Sequence, residues 1–200
     1  MLNAVLCMYL RRAFDYVYPY LLLQCLHSKY NLNSFFLKLL GSYFKIRTFQ
    51  FSLGSYISTE YFFNSACPQG STLASLLFML FFDQVNECIS LDYISFADYL
   101  VILKHDKSVD EIIASLQKAL ISLKTWCFTN KLSINFSKTK WMLFSKTVLH
   151  DRDKNLVVEN ECIEKVSTFK YLCLWMDETL SVFTYYEKVV SKVSSAMVWI

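Results

Sequence analysis

Few residues of this chain have types and spacing that could do chemistry. The stretch DYISFADYLVIL, residues 92–103, reads as two apolar strands joined by a turn with Asp98 at its tip and Tyr99 next to it. Carboxylates held rigidly at strand ends and hairpin tips suit hard divalent cations, which take oxygen ligands. A lone aspartate in a turn can equally serve its own backbone. Asp15 lies in RRAFDYV, residues 11–17, just after the first apolar strand. Lys138 and Lys140 occur as KTK, and the loop CPQGS, residues 67–71, holds Gln69 and Gly70. The seven cysteines, at 7, 25, 67, 88, 127, 162 and 173, form no CxxC pair and are odd in number. Neither a disulfide framework nor a zinc site is expected from that spacing, and reduced intracellular thiols are the simple reading.

The elements that must position these residues follow from periodicity. Residues 3–10 read as a short buried strand. Pro19 suits the first turn of a helix running to about residue 28. A second helix fits 33–44, with Phe35, Phe36, Leu39, Leu40 and Tyr43 on one stripe. The alternation of KIRTFQFSLGSYISTEYFF predicts a hairpin turning at Leu53-Gly54-Ser55. An apolar helix is expected at about 72–88 and a hairpin at 91–104. Val109, Ile112, Ile113, Leu116, Leu120 and Leu123 recur at helical spacing over 108–129, with Asn130 as a stop. KLSINFSKTKWMLFS reads as strand, turn, strand. Further strands fit 156–159, 161–164 and 168–175, and 183–200 looks helical. Helices interleaved with antiparallel hairpins predict the α+β class.

Composition sets the outer bounds. At 200 residues the chain is long enough for one good core. A hydrophobic fraction of 54%, with 17 Phe and 13 Tyr, excludes a disordered chain. Only 3 Gly and 2 Pro leave little material for structureless linkers. A net charge of +3 and a pI near 8.4 are compatible with nucleic acid without arguing for it. The longest apolar run, LASLLFMLFF at 73–82, falls well short of the roughly 20 residues needed to cross a bilayer, so a buried helix is expected rather than a membrane span. No basic residue precedes the apolar start MLNAVLCMYLRR, which makes it a poor signal peptide and points to cytoplasm or nucleus.

Taken in order, RRAFDYV, PQGS (68–71), FADY (96–99), KTK (138–140) and FKYL (169–172) resemble the palm of reverse transcriptases, in particular those of non-LTR retrotransposons of jockey or LINE type. LLFMLFFDQVN after PQGS, and WCFTNKLSINFSKTKWMLFS after the amphipathic helix, extend the resemblance over about residues 3–185. It implies a right-hand polymerase palm, an antiparallel sheet backed by helices over residues 1–180. The start of a truncated thumb-like helix would occupy 181–200, and the fingers would be missing. It also implies an enzyme that extends a DNA primer on an RNA template with deoxynucleoside triphosphates, with no membrane involvement and nothing pointing to a protein partner. Met1 then reads as an internal start, and the chain as a fragment.

The implied cofactor is Mg²⁺, as two ions about 3.5–4 Å apart that activate the primer hydroxyl and hold the triphosphate. The resemblance makes Asp98 the surviving metal-binding and catalytic carboxylate, with Asp15 as a substitute ligand. Phe14 becomes the aromatic wall under the incoming sugar, and Gln69 and Gly70 the lining of the nucleotide pocket. Lys138 becomes the cation near the leaving pyrophosphate. Each also has a plain reading: turn aspartate, core aromatic, ordinary turn, solvated lysine.

The sequence departs from the pattern at the metal positions. The family's strand aspartate, with three residues between it and Ala13, falls on Tyr9, and the aspartate pair of the hairpin tip is Asp98-Tyr99. A phenol with a pKa of about 10 is a neutral, bulky replacement for a carboxylate. Ala66-Cys67 stands where Gly-Val is usual, Ser75 where Pro is usual, and Cys173 where Gly follows FKYL. The expectation is a retrotransposon-derived reverse-transcriptase domain that has lost its ancestral RNA-directed DNA polymerisation. The alternatives are an active polymerase with unusual ligation by Asp98, Asp15 and backbone carbonyls, a non-catalytic RNA- or protein-binding module, and a translated relic without function.

Overall fold

The computed structural model describes residues 2–45, 47–62, 67, 70–145 and 155–197. In chain order the elements are β1 (Leu2–Tyr9), a 3-10 turn (Ala13–Tyr16), α1 (Pro19–Ser28) and α2 (Ser34–Phe44). Four two-residue strands follow, β2 (Thr48–Phe49), β3 (Ser52–Leu53), β4 (Tyr56–Ile57) and β5 (Tyr61–Phe62), then α3 (Thr72–Phe82) and a second 3-10 turn (Asp83–Glu87). Next come β6 (Tyr93–Phe96), β7 (Tyr99–Asp106), α4 (Val109–Thr129), β8 (Lys140–Phe144), β9 (Leu156–Val158) and β10 (Glu161–Lys165). The chain closes with β11 (Thr168–Tyr171), β12 (Leu174–Asp177) and α5 (Val182–Met197). The architecture is α+β, with a mainly antiparallel sheet backed by helices.

Two compact units form, one from Met1–Tyr9, Ser90–Ser122 and Ile134–Ile200, the other from Leu10–Ile89 and Leu123–Ser133. The first is built on a six-stranded sheet in the order β6-β7-β1-β8-β10-β9. β1 is central because it is apolar on both faces, the pattern of a strand covered on both sides. It pairs antiparallel with all eight residues of β7, from Leu2↔Asp106 to Tyr9↔Tyr99, and with β8 on its other side. Register then sorts the side chains. Leu6, Ile102 and Trp141 share one buried face. Val5, Cys7, Val101 and Met142 share the other, beneath Phe144, Val166, Phe169 and Tyr171. Each such aliphatic side chain contributes about 1.5–3 kcal/mol by leaving water. α4 carries the buried stripe Ile112, Leu116 and Leu120. Its Gln117 amide is tied to β9, donating from Nε2 to the Val157 carbonyl at 2.5 Å and accepting from the Val157 N–H at 2.9 Å.

In the second unit Pro19 opens α1 at its first turn, as the sequence predicts. Asn33 caps α2, its side chain accepting from the Phe36 N–H at 3.1 Å. The residue α2 buries is Phe44, whereas Phe35, Phe36 and Leu39 of the expected stripe lie exposed. Periodicity gave the helix and its stripe but not what covers them. Gly54, at φ 60, turns the β3–β4 hairpin where expected. Phe81 and Phe82 of α3 meet Trp126 at ring separations of 6.1 and 5.6 Å.

Two expected strands are corrected. Of the strand, turn and strand expected in KLSINFSKTKWMLFS, the turn and the second strand (β8) form and the first strand does not, because Asn135 takes the local hydrogen bonds: its Oδ1 accepts from Ser137 Oγ at 2.7 Å and its carbonyl from the Thr139 N–H at 2.9 Å. The expected strand 168–175 is two strands, β11 and β12, paired Tyr171↔Leu174 across Leu172 and Cys173. Both turn residues have positive φ, 43 and 75, as a tight two-residue hairpin demands. Neither is glycine, and an L side chain in that region costs roughly 1–2 kcal/mol. Cys173→Gly is therefore expected to stabilise the chain by about 0.5–1 kcal/mol after the entropy cost of glycine. A urea midpoint at or below that of the wild type would refute the prediction. No disulfide is present among the described residues.

Candidate functional site

Pairing of β7 with both β6 and β1 decides what surrounds the hairpin tip. Phe96↔Tyr99 closes a two-residue turn of Ala97 and Asp98, and Tyr9↔Tyr99 places that turn beside the end of β1. Ala97 sits at φ 51, a left-handed conformation rare for alanine. The rings of Tyr9 and Tyr99 meet edge to face, centroids 4.8 Å apart at 68°. Tyr99 in turn meets Tyr171 of β11 at 6.1 Å and 84°. The Asp98 carboxylate beside the Tyr9 hydroxyl, as a hydrogen-bond acceptor above all, then burial and the neighbouring negative charge, pushes the Tyr9 phenol up to about 12.

Lys138 closes the other side, its Nζ 4.4 Å from the centre of the Tyr9 ring. The lysine is delivered by the turn expected ahead of β8. The Asn135 N–H donates to the Tyr9 carbonyl at 2.7 Å. Fully buried Thr139 accepts from the Tyr9 N–H at 3.3 Å through Oγ1, and donates from the same atom to the Asn135 carbonyl at 2.8 Å. Asn135, Thr139 and Tyr171 are participants that sequence reasoning did not single out. The Asn-Phe-Ser-Lys string, an Asx-turn pattern, was the available signal for the first two.

Of the sequence candidates, Asp98 and Lys138 come together around Tyr9. Lys140 points elsewhere, its Nζ 2.6 Å from Glu164 of β10. Phe14, Asp15 and Gly70 belong to the second unit. There Phe14 stacks on Phe78 at 4.4 Å and 23°, continuing to Phe82 at 5.6 Å and 15°. Asp15 is exposed in the first 3-10 turn. Gly70 adopts φ 88, a conformation that favours glycine. Gln69 lies outside the described residues.

The donor set at the tip does not fit a pair of divalent cations. It offers one carboxylate beside two phenols and an ammonium. Magnesium asks for several oxygen ligands in near-octahedral array, with carboxylates among them. Among the described residues no group of three or more His, Cys, Asp or Glu is placed to hold a metal ion. No helix among them is long and apolar enough to cross a membrane.

Comparison with known proteins places this geometry. A search of curated proteins returned no significant match. Among solved structures, apo telomerase from Candida tropicalis, truncated from its C-terminal domain, is similar with a TM-score of 0.60 and 10% identity. The likeness covers 90% of this chain and 35% of that one, so this chain spans about a third of the telomerase, and at such identity it concerns the fold. A family model described as reverse transcriptase (RNA-dependent DNA polymerase) matches residues 2–176. Spanning the β1 end, the hairpin tip and the β11–β12 hairpin alike, that match establishes that the chain belongs to the reverse transcriptase family.

Proposed function

We propose that this chain is a reverse-transcriptase palm descended from a non-LTR retrotransposon, and that RNA-directed DNA polymerisation has been lost at its hairpin tip. The observation that carries the reading is the 4.8 Å contact of the Tyr9 and Tyr99 rings, at two positions where the resemblance puts metal-binding carboxylates. Two Mg²⁺ ions, where bound, would activate a primer hydroxyl and neutralise a triphosphate. Here the same room holds two phenols, one of them beside Asp98. Electrostatic stabilisation of this kind is worth several kcal/mol in a transition state, so its loss costs orders of magnitude in rate. RNA template, DNA primer and deoxynucleoside triphosphate remain the ligands for which such a scaffold is shaped.

The test is primer extension on primed poly(rA) in Mg²⁺ and in Mn²⁺. The wild-type chain is expected to give no product, and Tyr9→Asp combined with Tyr99→Asp to recover part of the activity. Extension by the wild-type chain would overturn the loss of activity and leave an active polymerase with unusual ligation.

A second reading, a non-catalytic RNA-binding module, is favoured by the small hairpins of the second unit. Phe51, Tyr56 and Phe62 stand 63%, 67% and 72% exposed there. Aromatic faces presented to solvent stack single-stranded bases without sequence preference. Binding of an RNA oligomer that falls steeply with salt supports this reading, and absence of binding at low salt removes it.

A further inference from the structure

Around Tyr9 every polar partner is accounted for. Its hydroxyl lies beside Asp98, its ring receives the Lys138 ammonium at 4.4 Å and meets Tyr99 edge to face. Its backbone N–H and carbonyl are held by Thr139 and Asn135. A carboxylate at position 9 would stand beside Asp98 as a like charge, which needs a cation between the two to be tolerated. A tyrosine at 9 removes one of the two charges, and the repulsion with it. A tyrosine at 99 exchanges a second charge for a ring that packs against both Tyr9 and Tyr171.

We infer that the tip is a metal-independent lock: the Tyr9–Tyr99–Tyr171 ring contacts and the Lys138 ammonium over the Tyr9 ring hold the end of β1 to the β6–β7 turn without any divalent cation. The inference deepens the proposed loss of polymerisation and rests on it, since it gives the substituted residues a role of their own. Stability and chemistry are exchanged at one site, the trade-off expected where an active centre crowds like charges.

Thermal melts of the full chain, followed by circular dichroism in EDTA and across a MnCl₂ titration, test the lock. Wild-type Tm is expected to stay constant with Mn²⁺, because a ligand stabilises only what it binds. Tyr9→Ala, which removes the ring that meets Tyr99 and Lys138, is expected to lower Tm by about 2–4 °C. Tyr99→Phe, which keeps the packing ring, is expected to melt with the wild type. The Tyr9→Asp, Tyr99→Asp double variant is expected to melt several degrees lower in EDTA and to regain part of that loss saturably with Mn²⁺. A saturable rise in wild-type Tm with Mn²⁺, or a Tyr9→Ala melt coincident with the wild type, overturns the lock. Should the double variant not fold, the wild-type and single-variant melts still decide. Primer extension judges the lost activity separately, so failure of the lock and failure of that reading are told apart.

Discussion

Trp141→Ala is expected to destabilise the chain by about 3–5 kcal/mol, read as a drop in the midpoint of urea unfolding. The side chain is 1% exposed in β8, opposite Leu6 of β1 and Lys165 of β10. The Trp141 carbonyl accepts from the Val166 N–H at 2.9 Å, so the backbone beside the cavity is pinned and cannot collapse freely. The indole also carries a cost, because its Nε1 is buried without an acceptor. An unsatisfied buried donor costs about 1–3 kcal/mol. Trp141→Phe removes that donor and leaves a much smaller void, so its expected loss is below about 1.5 kcal/mol. A phenylalanine variant as unstable as the alanine variant would show that the ring's volume, not the stranded N–H, sets the balance.

Asp177→Ala is expected to cost about 3 kcal/mol at neutral pH. Asp177 is 7% exposed, ends β12 and precedes α5, whose first N–H groups have no intrahelical acceptors. Its Oδ1 accepts from the Thr179 N–H at 2.9 Å, from Thr179 Oγ1 at 2.7 Å and from the Ser181 N–H at 2.9 Å. Its Oδ2 accepts from Thr184 Oγ1. The Thr184 hydroxyl first, then the Ser181 N–H and the Thr179 hydroxyl, hold this carboxyl down at about 2. A carboxyl depressed on folding adds stability in full above its unfolded pKa, about 3.9, and loses it as pH falls through the folded value. The gap in unfolding free energy between wild type and variant should therefore be constant from pH 7 to about 5, narrow below about 4 and largely close near 2. A gap that does not change between pH 6 and 2.5 would mean the carboxylate charge is not what these donors recognise.

Much of this molecule was legible in its residues. The apolar run of β1, Pro19 ahead of α1, Gly54 in its hairpin and the helical spacing of α4 are local signals, and each produced its element. Position by position, the family pattern also marked 9, 98 and 99 as the places to inspect. Where neighbours compete for the same backbone, local signals failed. Around Asn135 the first of the two strands expected in KLSINFSKTKWMLFS did not form. Leu172 and Cys173 took left-handed conformations that neither side chain favours, because β11 and β12 pair across them. The stripe of α2 was readable while its exposure was not.

The meaning of the tip was decided by contacts across the chain. Sequence put Tyr9 and Tyr99 where the resemblance implies acids; the pairing of β1 with β7 set their rings edge to face, and the Thr139 bond, spanning 130 residues, clamped the strand end beside Lys138. Periodicity reports which side of an element is apolar. Register, hydrogen-bond partners and what covers a face depend on the packing free energy of the assembled elements, which no local window contains.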